Sequence, residues 1–221
     1  MGNFDGSIFR VVDLNVCDCM CYNERVSITA YILGMLGALA LSRSGMLALA
    51  VFYAATVQMQ LVDYIAFKNP VCNALNSFAT KAGIVINHAE PLVLYGVLVS
   101  QGVSLPSFVH SIVLMYAIVA GVYTFRALSS VSCTQVSEES APYLYWQWND
   151  MDGKGLVYGL FLLTLVVVSV YGLGDMGTLH ALLAVASFGL SHLIYGGKRA
   201  TGALWCWFAA FIPYLLLILR K

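Results

Sequence analysis

The feature that most limits what this chain can fold into is a run of nineteen residues, 155–173, without a single charged side chain. A helix that crosses the hydrocarbon core of a bilayer needs about 20 mostly apolar residues. Other segments also meet this requirement, and none alternates with the period of two that a membrane barrel strand needs. We therefore predict an all-α, polytopic membrane protein built as a bundle of seven transmembrane helices. The predicted spans are 26–42, 46–67, 73–101, 108–125, 155–173, 177–196 and 202–219.

The composition agrees with this class of protein and excludes others. Of the 221 residues, 60% are hydrophobic and 10% are charged, whereas a soluble globular chain has about 25% charged residues. A soluble enzyme and a disordered protein are therefore excluded. The formal net charge is zero, so the chain lacks the basic surface that binds nucleic acid. We expect the lipid bilayer to be its main partner and nucleic acid not to be one.

We predict a single domain. Residues 1–25 form a polar, cysteine-containing N-terminal segment without the pattern of a secretory signal peptide, and residues 26–221 form the transmembrane domain. The loops are short except for 126–154. Pro91 lies inside the third span and predicts a kink or tilt of that helix.

Lysine and arginine in the loops predict the orientation, because cytoplasmic loops carry an excess of both residues. The side that holds the N-terminus, called the N-side here, has more of them than the opposite side. The N-side carries Arg10, Arg25, Lys68, Arg126, Lys154, Lys198 and Arg199, and the opposite side carries Arg43, Arg220 and Lys221. We therefore expect the N-terminus in the cytoplasm and the C-terminus outside.

The cysteines give a second indication of orientation, because all of them fall on the N-side. They are Cys17, Cys19, Cys21, Cys72 and Cys133, with Cys206 in the first turn of the last span. Cytoplasmic thiols stay reduced, and the first three would then be free thiols, palmitoylation sites or ligands of a soft metal. Their spacing lacks the paired C-x-x-C of a zinc site, so we predict no metal. If the N-side is luminal instead, a disulfide from Cys21 to Cys72 or Cys133 is expected, and the orientation is reversed.

Polar residues concentrate in the second and third spans. An ionisable group inside a membrane costs about 2.5–3.5 kcal/mol, so each one marks a candidate functional site. The two spans are antiparallel neighbours, and a rise of about 1.5 Å per residue places Asp63 level with Asn76. Lys81 then lies one turn deeper, where it can pair with Asp63. With a histidine from the end of the sixth span, the predicted N-side cluster comprises Gln60, Asp63, Asn76, Thr80, Lys81 and His192.

A second polar cluster is predicted nearer the opposite face. Its members are Asn87, His88, Glu90 and His180. Glu90 with His180 forms a charge pair, a proton relay or two metal ligands in this interpretation. The ring of Pro91 removes a backbone donor and frees a carbonyl near Asn87. Freed carbonyls beside a carboxylate are how broken helices build ion and substrate sites.

These polar residues also have a structural interpretation. Asn, Gln, Ser and Thr in membrane helices often form interhelical hydrogen bonds that contribute about 0.6 kcal/mol each. Aromatic residues of the long loop indicate either an interfacial belt or a re-entrant patch. They are Tyr143, Tyr145, Trp146 and Trp148.

The two clusters favour a site inside the bundle that binds or conducts a small polar solute, an ion or a proton, without a cofactor. One alternative is a membrane-embedded lipid-modifying hydrolase, and another is a structural or assembly protein of a viral or organelle membrane. The enzyme is disfavoured because G-x-S-x-G, H-E-x-x-H and Walker motifs are absent from the sequence. The last span has no lysine for a retinal Schiff base, so a rhodopsin is disfavoured too.

Short motifs in four of the spans resemble a family of uncharacterised seven-helix membrane proteins of bacteria, algae and large DNA viruses. Met20-Cys21 with Ser27 and Gly34, at the opening of the first span, resembles the Met-Cys-Trp opening of that family. Its second helix has a carboxylate three residues before a Gln, and its third has a Gln-Pro. Here the acid and the amide are exchanged, as Gln60 and Asp63, and Glu90-Pro91 replaces Gln-Pro. The last span resembles that of the family at Gly202, Trp205, Cys206 and Pro213. The resemblance implies a seven-helix fold and no particular activity.

Overall fold

A computed structural model of the chain describes residues 23–136, 144–195 and 201–220. Nine α-helices lie in these ranges, so the predicted all-α class is confirmed. They are α1 Glu24–Arg43, α2 Leu47–Thr56, α3 Gln58–Lys68, α4 Ala74–Ser100, α5 Ser107–Ser130, α6 Lys154–Gly172, α7 Gly177–Tyr195, α8 Thr201–Ala209 and α9 Ile212–Leu219. Two short 3-10 helices, Gln147–Asp150 and Gly174–Met176, and an antiparallel pair of strands, β1 Gln135–Val136 and β2 Leu144–Tyr145, complete the described elements.

Six helical segments are long and apolar enough to cross a membrane, with α2 and α3 together counted as one of them. The last apolar segment, Leu204–Leu219, is shorter. Large apolar side chains lie exposed along these helices. On α5 alone, Leu114 is 62% exposed, Ile118 60% and Phe125 73%. A soluble monomer rarely exposes apolar side chains in such contiguous arrays, so the outer surface suits lipid.

The helix ends follow ordinary capping chemistry. Asn23 caps α1, since its Oδ1 accepts hydrogen bonds from the backbone N–H groups of Arg25 and Val26 at 2.9 and 3.1 Å. Asn73 caps α4 through a 2.9 Å bond from the N–H of Asn76. Asparagine is among the residues preferred at this position, because its side chain satisfies donors that the first turn leaves free. Both caps lie on the N-side, where α1 and α4 begin.

The second predicted span is interrupted in its middle, which the sequence analysis did not predict. Helix α2 ends at Thr56 and α3 begins at Gln58. At the break the backbone tightens into a three-residue turn, in which Gln60 N–H donates to Val57 O at 3.0 Å. The side chain of Gln58 donates from Nε2 to the carbonyl of Ala54 at 2.8 Å. In a regular helix the backbone N–H of Gln58 would donate to this carbonyl. Here the side chain of the same residue donates to it instead.

The last predicted span is also interrupted. Helix α8 ends at Ala209, and α9 begins at Ile212 with Pro213 in its first turn. Proline has no N–H to give to the preceding turn, and its ring clashes with the carbonyl four residues back, so the helix cannot run through this point regularly. By contrast, α4 continues through Pro91 to Ser100. The breaks therefore fall in α2–α3 and α8–α9.

The two breaks meet inside the bundle. Val57 and Ala210, the residues at the breaks, pack with Ala30 of α1 in one small buried cluster. Gly34 of α1 makes this approach possible, since a Cβ placed on it would lie 2.3 Å from Val57 Cγ1. Around this point, α4 packs against α2, α3, α5 and α6, while α7 packs against α6 and α8. Helix α4 thus lies at the centre of the polar interior.

Candidate functional site

Two carboxyl groups are fully buried in the bundle. Glu90 and Asp63 both have 0% of their surface exposed. Among the described residues, neither Oε1 nor Oε2 of Glu90 has a hydrogen-bond partner, and Oδ1 of Asp63 has none. Oδ2 of Asp63 accepts one long bond, 3.5 Å, from Nε2 of Gln60. Buried carboxyl oxygens without partners are rare in proteins and costly, so these two groups define the centre of the candidate site.

Phenol and thiol groups lie near the carboxyls. Glu90 lies within electrostatic range of Tyr53, Tyr116 and Cys206. Cys206 is also within electrostatic range of Asp63. Tyr53 is 1% exposed, and its hydroxyl has no partner within the described residues. The site thus combines two acids with groups that can donate hydrogen bonds.

Glu90 and His180 form no direct hydrogen bond among the described residues, so the charge pair is not present there. Nδ1 of His180 lies 2.7 Å from Oγ of Ser169, and its Nε2 has no partner in the part of the chain that the structure describes. The His180 ring packs edge-on against Tyr53 of α2, with 5.6 Å between ring centroids. Tyr53 is also within electrostatic range of Glu90, so this tyrosine is near both residues.

His88 joins the interior through its ring and its backbone. Its Nδ1 lies 2.8 Å from the carbonyl of Ile84, and its Nε2 has no partner within the described ranges. The ring packs against Tyr123 and Tyr158. Its backbone carbonyl accepts a 2.7 Å hydrogen bond from the hydroxyl of Tyr116. His88 therefore links the tyrosines of α5 and α6 to the helix that carries Glu90.

A cavity of about 250 Å³ opens at the N-side end of the bundle. Asn87 lies in its wall and donates from Nδ2 to the hydroxyl of Tyr158 at 3.0 Å. The Tyr158 hydroxyl in turn donates to Oδ1 of Asn149. His192 also lines this cavity and is exposed, so it lies apart from Asp63 and Gln60. The rest of the lining comprises Tyr145, Trp146, Asp150, Lys154, Gly155, Phe188, Gly202 and Trp205.

The tryptophans of the long loop insert into the bundle. Trp146 and Trp148 are 2% and 0% exposed, and their rings stack with centroids 5.1 Å apart. The backbone carbonyl of Trp148 accepts a hydrogen bond from the Tyr123 hydroxyl. Trp146 interacts with Asp63, although its Nε1 closes no hydrogen bond within the described residues. Of the two interpretations of these aromatics, burial of both rings supports the re-entrant patch; Tyr143 lies outside the described residues.

Asn76 and Thr80 direct their hydrogen bonds to the N-side loop and to each other, and none of the described bonds reaches a carboxyl group. Asn76 Nδ2 donates to the carbonyls of Asn69 and Thr134, at 2.7 and 2.9 Å, and its Oδ1 accepts from Thr134 N–H at 3.0 Å. The hydroxyl of Thr80 accepts from the same N–H at 2.7 Å and donates to Oδ1 of Asn76 at 3.1 Å. A disulfide between Cys72 and Cys133 joins the same two segments. These residues form a structural clamp.

Lys81 does not pair with Asp63. Its side chain is exposed on α4 whereas Asp63 is buried, because the rotation of about 100° per residue in a helix carries position 81 away from the face that holds Thr80. Every lysine and arginine that the structure describes is exposed: Arg25, Arg43, Lys68, Lys81, Arg126, Lys154 and Arg220. The described interior therefore contains acids without basic partners. Similar depth along two neighbouring helices therefore does not bring two side chains together, because each helix must also turn them toward each other.

Within 23–136, 144–195 and 201–220, no group of three or more His, Cys, Asp and Glu residues could hold a metal ion. The carboxyl, imidazole, phenol and thiol groups of the site are all able to form hydrogen bonds.

Several residues of the site were not singled out in the sequence. Tyr116, Tyr158 and Asn149 lie in apolar or loop surroundings where an aromatic or amide residue carries no special signal. Thr134 also follows no pattern. Each of the tyrosines of α2, α5 and α6 places a hydroxyl group inside a predicted apolar span. Together with the acids Glu90 and Asp63, this is the one feature of the sequence that points to them.

Comparison with known proteins finds no matching family model, no similar curated protein and no similar solved structure.

Proposed function

We propose that this chain is a multi-pass integral membrane protein with seven spans, in which interior carboxyls exchange a proton in support of the transport of a small polar solute. The last apolar segment, α8–α9, supplies the seventh span. Its break at Ala210 lies against the break in α2–α3. Pairs of interrupted helices are a common way for transporters to place a site near the middle of the bilayer.

The observation that carries this proposal is the state of Glu90. Its carboxyl group is fully buried, both of its oxygens lack a partner, and no ion pair reaches it among the described residues. A structural acid would be satisfied by hydrogen bonds or by a basic neighbour. A carboxyl group that is held in an apolar interior without either is stabilised by taking up a proton or a cation.

Neighbouring groups supply a route for the proton. Cys206 is within electrostatic range of both Glu90 and Asp63, and Asp63 is next to Trp146, which lines the N-side cavity. Tyr53 is within electrostatic range of Glu90 and packs against His180, which contacts Ser169. In our proposal the proton enters from the cavity, reaches Asp63 and then Glu90, and leaves past Tyr53 and His180.

The proposal is tested with the full-length protein reconstituted in liposomes that contain a pH-sensitive dye. A potassium gradient with valinomycin drives proton entry, and the initial rate is compared with that of protein-free liposomes. We expect Glu90→Gln and Asp63→Asn to reduce the protein-dependent rate to background, because each removes a proton-accepting oxygen. Asp175→Asn is the matched control, since Asp175 is exposed on the opposite side of the bundle.

Two results would contradict the proposal. One is a wild-type rate no faster than that of empty liposomes. The other is a rate that stays unchanged in Glu90→Gln and Asp63→Asn while both variants insert and fold like the wild type. The second result would favour the alternative of a structural membrane protein.

We also propose that the N-side faces an oxidising compartment. The Cys72–Cys133 disulfide supports this orientation, since disulfides persist in secreted, luminal and periplasmic environments and are rare in the cytosol. The loop charges favour the opposite orientation, with the N-terminus in the cytoplasm. We give the disulfide more weight, because the charge difference between the two sides is only seven residues against three.

A further inference from the structure

The N-side cavity has walls made largely of aromatic rings. Trp146, Trp205, Tyr158, Tyr145 and Phe188 all line it. The two tryptophans are fixed in place: Trp146 stacks on Trp148, and the indole N–H of Trp205 donates to Oγ of Ser187 at 3.0 Å. Rings held in this way around a space attract cations, because the face of an aromatic ring is electronegative.

The electrostatic balance around the cavity favours a cation as well. Asp63 is a neighbour of Trp146, and Trp146 forms part of the cavity wall. Glu90 lies within the bundle, in electrostatic range of Cys206. Lys154 at the cavity forms an ion pair with Asp150, so the rim holds opposite charges together. Since the other lysines and arginines that the structure describes are exposed and none lines the cavity, a ligand could supply the positive charge that the two interior acids lack.

Hydrogen-bond acceptors are available at the inner end of the cavity. Nδ2 of Asn87 is engaged with Tyr158, which leaves Oδ1 of Asn87 without a hydrogen bond among the described residues. The backbone carbonyl of Asn87 lacks its helical donor, because residue 91 is a proline. An ammonium group donates hydrogen bonds and accepts none, so it fits these oxygens.

We propose that the N-side cavity binds a small organic cation, with its ammonium group between the aromatic walls and the carbonyl oxygens of Asn87 and with Asp63 and Glu90 balancing its charge. The volume of 250 Å³ corresponds to about eight water molecules at roughly 30 Å³ each. The ligand is therefore an amine with a small apolar body. The inference rests on the proposed function, since the interior acids supply the negative charge, and it names the solute class of that function.

The experiment uses three probe molecules that have similar shapes and differ in charge. Phenethylamine is a cation at neutral pH, 2-phenylethanol is neutral and phenylacetate is an anion. Each is titrated into purified full-length protein in lipid nanodiscs, with tryptophan fluorescence as the readout, because Trp146 and Trp205 line the cavity. We expect saturable quenching by phenethylamine, with an affinity at least about tenfold above that of the alcohol, and no saturable binding of phenylacetate.

A pair of glycines on α6 provides a variant and its control. Gly155 lines the cavity, whereas Gly159, one turn later, does not. A Cβ on either residue meets no atom within 4 Å, so the two positions are matched in having free space for the first atom of a side chain. Gly155→Leu fills the opening and should weaken phenethylamine binding about tenfold or more, as expected for a blocked apolar pocket. Gly159→Leu should bind like the wild type.

The outcomes separate this inference from the proposed function. Equal or tighter binding of 2-phenylethanol, absence of saturable phenethylamine binding, or equal affinities in Gly155→Leu and Gly159→Leu would each overturn the organic-cation site. The titration measures no flux, so proton exchange that depends on Glu90 would stand if the amine failed to bind. Conversely, amine binding without any proton exchange would retain the cavity ligand and overturn the proposed function.

Discussion

Asn76 uses its side-chain amide entirely inside the protein. The group donates twice and accepts twice, and its partners come from positions 69, 80 and 134. Glu90 is buried to the same extent, and neither of its oxygens has a partner in the part of the chain that the structure describes. Burial by itself therefore does not distinguish these two residues. The difference lies in whether the surrounding groups satisfy the side chain.

Asn76→Ala tests the structural role of this side chain. The substitution leaves the buried N–H and C=O groups of Thr134 with fewer partners, and each unsatisfied group costs about 1–3 kcal/mol. We expect a clear drop in the melting temperature of the purified protein, measured by the fluorescence of the buried tryptophans. Proton exchange per folded molecule should stay the same. A selective loss of exchange with an unchanged melting temperature would instead place Asn76 in the functional site.

At the scale of the elements, the interruption of two helices determines where the polar interior lies. Val57 and Ala210 are packed against each other and against α1. The two buried carboxyl groups belong to helices near this point: Asp63 lies on α3 and Glu90 on α4. The contact depends on Gly34, because a larger side chain would occupy the space of Val57. A close crossing of small residues is a usual means of helix association in membranes.

Gly34→Ala tests this crossing. The added methyl group would lie 2.3 Å from Val57 Cγ1, and inserting a methyl into a packed core costs about 1–3 kcal/mol. We expect a lower melting temperature, and partial recovery when Val57→Ala is added, because the two residues share one contact. Gly121→Ala is the control, since nothing lies within 4 Å of a Cβ at that position. Equal effects of Gly34→Ala and Gly121→Ala would show that the crossing is not tightly packed.

At the scale of the whole molecule, the N-side loop closes one end of the bundle. The disulfide and the Asn76 clamp hold positions 133 and 134, and β1 pairs with β2 across the loop. The chain then enters the bundle with Trp146 and Trp148. The opposite end has only short turns, for example those at Gly45 and Gly102, whose φ angles of 78° and 76° suit glycine. The cavity therefore opens on the side of the disulfide.

The orientation of the molecule is tested by labelling single cysteines in intact bacteria. Asp152→Cys lies on the N-side and Gln101→Cys on the opposite side, and both positions are exposed. In a background with Cys17, Cys19 and Cys21 replaced by serine, we expect a membrane-impermeant maleimide to label Asp152→Cys and not Gln101→Cys. The Cys72–Cys133 bond should also change the mobility of the protein on a non-reducing gel, unlike in Cys133→Ser. Labelling of Gln101→Cys alone would restore the orientation that the loop charges favour.

The helical class and the approximate positions of the apolar helices follow from the sequence alone, because a long apolar segment in lipid must satisfy its own backbone hydrogen bonds. It also indicated that Asp63 and Glu90 are exceptional, since acids inside such segments are costly. Because depth along a helix follows from residue number, the sequence also predicts which polar residues lie at similar depths in the bilayer.

Which of those residues meet depends on how the helices and the N-side loop pack. Asn76 and Thr80 lie against Thr134, a residue 58 positions from Asn76, Lys81 points outward, and His180 packs against Tyr53. The physical reason is that a polar side chain is satisfied or left unpaired by neighbours that are distant in the chain, and the rotation of each helix and the path of the N-side loop select them. The break at Val57 was equally hidden, because no proline or glycine lies at positions 56–58 and the interruption depends on packing against α1 and on the side chain of Gln58.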